Sequence, residues 1–130
     1  MTRDVFKRIA SPASLASVIL LASTASMPVL ADDEAPTAAD ITAAVSDHTY
    51  QGSMNVADSG FAEYYAPDGT IRADGYSGTW RTEDGAMCFQ YGDNPEKCFE
   101  VRLNGPSMEM YKDGALDGNG MLIEGNANNF

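Results

Sequence analysis

Residues 78–91, Gly78-Thr79-Trp80-Arg81-Thr82-Glu83-Asp84-Gly85-Ala86-Met87-Cys88-Phe89-Gln90-Tyr91, decide the fold. Asp84-Gly85 suits a two-residue hairpin turn, and apolar and polar residues alternate on either side of it. With that turn Glu83 pairs with Ala86, Thr82 with Met87 and Trp80 with Phe89. Trp80, Thr82, Met87 and Phe89 then share one face, and Phe99, Val101 and Leu103 on the following strand can join them. A three-residue turn would set Trp80 against Cys88 and split the cluster, so burial favours the first register.

The same texture runs outward in both directions. From His48 onward, aromatic and β-branched residues alternate with polar ones between glycine-rich breaks, which reads as short strands and tight turns. The expected strands are 48–54, 60–66, 70–81, 86–91, 98–104, 107–112 and 120–125. Pro67-Asp68-Gly69 makes a turn through the fixed dihedral of Pro and the positive one open to Gly. Gly105-Pro106 and Asp113-Gly114 close two more. Upstream, 37–46 reads as a short helix with Thr37 as N-cap and Asp40 in a near capping box. A helix of this length must dock on something. The fold class is therefore mainly β: an antiparallel meander curling into a small barrel or half-barrel, preceded by a short helix.

Three boundaries divide the chain: 1–31 as a signal peptide, 32–36 as a solvated linker and 37–130 as one β domain. Arg3, Lys7 and Arg8 form a positive start, an apolar stretch runs from Ala13 to Ala25, and Val29-Leu30-Ala31 is a small-residue cleavage pattern. The cut falls between Ala31 and Asp32. The apolar run is short of the roughly 20 residues that cross a bilayer, and no cysteine stands at the cut to carry a lipid. Periplasmic or secreted localisation follows, and the cleaved protein is not membrane-embedded. The only cysteines, Cys88 and Cys98, lie on neighbouring strands in an oxidising compartment and are expected to pair. A redox C-x-x-C pair or a four-ligand zinc site lacks its residues.

The 130 residues carry a formal charge of −11, with 8 Lys and Arg against 19 Asp and Glu. That balance excludes the basic footprint a nucleic-acid binder needs. Removing the signal takes three of the basic residues and one acid, so the remaining chain is more acidic still. An apolar share of 44% separates it from disordered acidic tails.

No Walker loop, dinucleotide fingerprint or zinc motif occurs, and no cofactor is expected. Asp113, Asp117 and Glu124, with Gly118, fall on positions 1, 5, 12 and 6 of a calcium loop. Ala115 stands where the third-position ligand should be, and no helices flank the segment. An Asp- and Gly-rich hairpin gives the same letters. His48 could act as a base but has no nucleophile motif beside it, and reads as a capping residue. Tyr64, Tyr65, Tyr76, Trp80 and Tyr91 are candidate contact aromatics, beyond what a thin core needs.

Phe61 to Tyr65 leading into Pro67-Asp68-Gly69-Thr70, then Gly78-x-Trp80, Cys88-Phe89-x-Tyr91, Cys98 and Gly125-Asn126, give a pattern that resembles families of small exported bacterial proteins of unknown function. It covers most of residues 41–126. The resemblance implies an exported β domain with a disulfide, and no catalytic residue. The function expected is non-enzymatic binding or an envelope-accessory role, carried out as a monomer. The partner would be a small molecule in a half-barrel mouth, or an envelope protein at an edge strand or aromatic face. The alternative is a small hydrolase or lyase using carboxylates at the mouth. Two convergent acids there would favour the enzyme, and an apolar, aromatic-lined pocket the binder.

Overall fold

The structure, a computed structural model, describes residues 34–130. The expected signal segment and the Ala31–Asp32 cut lie outside the described residues. Helix α1 spans Ala38–Val45. Eight strands follow: β1 His48–Met54, β2 Phe61–Tyr65, β3 Thr70–Arg72, β4 Ser77–Glu83, β5 Ala86–Gln90, β6 Lys97–Asn104, β7 Ser107–Lys112 and β8 Ala115–Glu124. Each strand pairs antiparallel with the next, and β8 returns to pair with β1, so the sheet closes into a barrel. Among the described residues the sheet is a closed barrel rather than an open half-barrel, with β2 and β3 joined only through Tyr64 and Tyr65.

The deciding hairpin has the expected register. Glu83 faces Ala86, Thr82 faces Met87, and Trp80 faces Phe89. Met87 then faces Phe99, and Cys88 lies directly opposite Cys98. Alternation sends Met87 and Phe89 into the barrel and Cys88 outward. The two cysteines form a disulfide on the barrel wall with their Cα atoms 4.0 Å apart. The inward residues Tyr50, Tyr65, Ile71, Met87, Val101 and Met108 are fully or almost fully buried.

Two strand assignments need correction. Residues 70–81 are not one strand, because Gly75 adopts a positive φ of 81° and Ala73–Tyr76 turn the chain between β3 and β4. The final strand starts at Ala115 rather than 120. Its glycines are not turn residues. Gly52 of β1 and Gly120 of β8 face each other across the seam, and the Tyr50 ring lies over both. A Cβ on Gly52 or Gly120 would approach that ring to 2.7 or 2.6 Å. The same Cβ atoms would come closer still to the Asn119 or Gln51 carbonyl oxygen, so the glycines admit both the tyrosine and a close approach of the two backbones, and the strand continues through them.

Helix α1 closes one end. Thr37 Oγ1 accepts from the Asp40 N–H at 3.1 Å, and Asp40 Oδ2 accepts from the Thr37 N–H at 3.0 Å, a complete capping box. Ile41 and Val45 project into the barrel with no exposed surface, and the helix packs on β1, β4 and β5. Residues 34–36, expected as a solvated linker, are exposed or half-buried yet tied down. The Pro36 carbonyl accepts from the Gly85 N–H at 2.7 Å, and Asp84 Oδ1 accepts from the Ala38 N–H at 2.9 Å. The tight β4–β5 turn leaves these polar groups pointing at the incoming chain. No helix among the described residues is long and apolar enough to cross a membrane.

Candidate functional site

The end opposite α1 is open. It holds a cavity of about 760 Å³, within the size range of small-molecule sites. Its walls are mostly apolar: Met54, Phe61, Phe89, Phe99 and Met110 come from five strands, and Pro95 closes the rim. Eight strands give a barrel just wide enough to fill itself with side chains or to keep one ligand-sized space. Here the helix end is filled and the far end is not.

One carboxyl stands in this apolar wall. Alternation along β2 turns Phe61, Glu63 and Tyr65 inward. Glu63 is 3% exposed. Its Oε1 accepts from the Tyr91 hydroxyl at 2.8 Å and the Tyr76 hydroxyl at 2.9 Å, and its Oε2 accepts from the Tyr65 hydroxyl at 3.1 Å. The Tyr76 and Tyr91 rings meet edge to face, with centroids 5.9 Å apart. Gly78 makes room for Tyr91, because a Cβ there would meet the ring at 2.8 Å. Burial raises the Glu63 pKa above the ordinary carboxyl value, and the three hydroxyls partly oppose that rise. Burial, then the nearby Glu63 charge, pushes the Tyr65, Tyr76 and Tyr91 hydroxyls upward, so they stay protonated donors.

Two further groups bear on the site. Tyr50 sits opposite Glu63 on β1, and its buried hydroxyl has no hydrogen-bond partner. Lys97 lies at the mouth, the one basic residue among the cavity's lining. Among the described residues, the ion pairs are those of Arg81 with Glu83 and Glu96 on the outer wall. Glu63 therefore has hydrogen-bond donors but no counter-charge.

The structure gathers some of the sequence-selected residues here and disperses others. Tyr65, Tyr76 and Tyr91 line the cavity together. Tyr64 points outward, where its hydroxyl donates to Asp47 at 2.7 Å. Trp80 packs against Tyr65 with ring centroids 6.2 Å apart, and its Nε1 donates to the Ala66 carbonyl at 3.0 Å. It belongs to the core and not to the cavity wall. His48 sits at the α1–β1 corner with Nδ1 2.8 Å from the Ser46 carbonyl. Asp113 lies in the β7–β8 turn, while Asp117 and Glu124 lie along β8. Asp117 and Glu124 are seven positions apart along the strand, about 23 Å, so the three carboxylates do not converge on one ion. Glu83 approaches Cys88 and Cys98, but both sulfurs are committed to the disulfide.

Glu63 is one carboxylate among many in the sequence, and Lys97 carries no signal of its own. The available clue was the period-two placement of Phe61, Glu63 and Tyr65, an acid on an otherwise apolar strand face. Comparison with known proteins finds no matching family model, no matching curated protein and no matching solved structure.

Proposed function

We propose that this chain is an exported, non-enzymatic binding protein that holds one small, mainly apolar molecule in the open mouth of its barrel. One observation carries the reading: an open, apolar, aromatic-lined cavity whose single carboxyl is held by three tyrosines. A hydrolase or lyase working through two carboxylates would need a second acid beside Glu63. Among the described residues none lines the cavity. A lone carboxyl fixed by three donors is arranged to recognise rather than to shuttle protons between partners.

Export is supported by the signal-like start of the chain and by the Cys88–Cys98 disulfide, which persists in oxidising compartments. Work in an aqueous phase is supported by the barrel's outer face, where Arg81, Glu83, Glu100 and Arg102 are exposed, unlike the apolar band of a membrane barrel. A monomer is consistent with a sheet closed into a barrel.

The test is native mass spectrometry of the unreduced protein taken from its own host. The expected result is a chain beginning at Asp32, two hydrogens lighter for the disulfide, with a bound small-molecule adduct lost on Phe61→Asp substitution. An adduct-free chain that also fails to take up apolar probes overturns the binding reading.

A further inference from the structure

Resting on that binding reading, we propose that the ligand carries an organic cation, an ammonium group on an apolar body, and that Glu63 is its counter-ion. The inference starts from an imbalance. A buried charge in a folded protein is normally paired. The Glu63 carboxyl is buried at the cavity wall, accepts three hydroxyl donors, and among the described residues meets no basic side chain within ion-pair distance. Three converging donors favour the ionised carboxyl against the burial that raises its pKa, and once ionised it is acceptor-only with about four lone-pair sites. Three sites are used by Tyr65, Tyr76 and Tyr91, leaving one on Oε2. The cavity thus offers an anion lacking its partner, surrounded by electron-rich rings that themselves favour cations.

The surroundings agree. The tyrosines at Glu63 supply ring faces and edges, while Phe61 and Phe89 supply apolar surface for the rest of the molecule. The chain's net charge of −11 raises the local concentration of cations and repels anions. Lys97 is the competing feature. Its ammonium at the rim could instead greet an anionic headgroup, with the apolar tail running inward. The two arrangements differ in which residue reads the charge, so they can be separated.

The experiment is calorimetric titration of the disulfide-bonded protein at pH 8 with three probes sharing one tail: octyltrimethylammonium, 1-octanol and octanoate, each below its aggregation concentration. The cation is expected to bind about tenfold or more tightly than the alcohol, and octanoate weakest. Glu63→Gln is expected to abolish the preference for the cation while octanol binding remains. Lys97→Met should leave the order unchanged. Equal binding of the cation and the alcohol, or tightest binding of octanoate with its loss in Lys97→Met, overturns the cation assignment and leaves the cavity a binding site. Failure of all three probes overturns the binding reading itself. Should Glu63→Gln not fold, the order of the three probes on the unmodified protein decides alone.

Discussion

The two ends of this barrel are made from the same eight strands and meet opposite fates. At one end helix α1 inserts Ile41 and Val45, which are fully buried. At the other, no helix among the described residues enters, and the side chains stop short around a cavity that holds a buried carboxyl. The closed end spends its polar groups on structure: Thr37 and Asp40 cap the helix, and Asp84 and Pro36 fasten it to the β4–β5 turn. The open end gathers three tyrosine hydroxyls on a single acid. A barrel of this size can be a solid core along part of its length and a container along the rest. A short preceding helix determines which end is which.

The sharpest way to break this contrast is a matched pair of truncations. Ile41→Ala should cost about 2–5 kcal/mol, because it opens a void in a filled end. Phe61→Ala should cost less, because its ring borders space that already exists. Urea unfolding of both variants measures the difference, and equal losses would mean that the mouth is as tightly packed as the plug. Next in size is the outer wall. Replacing Cys88 and Cys98 by Ser should lower stability by about 2–3 kcal/mol, the short loop keeping it near the low end. The circular dichroism spectrum should remain that of a β protein. Thr37→Ala should cost about 1 kcal/mol through loss of the cap, visible as a small drop in Tm and confined to the closed end in hydrogen exchange.

The last contrast is one of sign. Hydrogen bonds from the Thr37 backbone, then its side chain, hold the Asp40 pKa below 3.8. Its stabilising effect is present above that value and is lost as pH falls through the lowered one. Glu63 behaves oppositely. Burial raises its pKa above 4.5, so its stabilising effect is full below 4.5 and is lost as pH rises through the raised value. Subtracting the Glu63→Gln melting curve from that of the unmodified protein across pH should isolate the falling slope. A flat difference would show that Glu63 titrates as it does in the unfolded chain.

The sequence was most informative where two local rules agreed. The register from Trp80 to Phe89 followed from a turn pair and one apolar face, and the disulfide followed from that register. Thr37 and Asp40 announced the helix by spacing alone. It was least informative where glycine had two meanings. Asp74-Gly75 is a turn inside an expected strand, while Gly118 is a strand residue ahead of the expected start at 120, and Gly120 continues the strand rather than opening it. The difference lies in Tyr50, Met54 and Met110, which fill the space that those two glycines leave, and such long-range packing has no local signature. Closure itself is not legible in the sequence, which suits a barrel or a half-barrel equally, because the β1–β8 pairing joins residues far apart in the chain. The site was half legible. Tyr65, Tyr76 and Tyr91 stand out in the sequence as aromatics beyond a thin core's needs, but the acid that unites them comes from three-dimensional convergence.

That seam has a temporal consequence. His48 finds Glu124, 76 positions later in the chain, and all of β1 waits for β8 before its outer hydrogen bonds are made. Contacts this distant are slow to form, since the entropy of closing the intervening chain must be lost first. A chain emerging from its N-terminus would therefore carry an unsealed sheet with β1 exposed until its last strand arrived. The interval before the seam closes is when the protein is most open to mispairing with its neighbours.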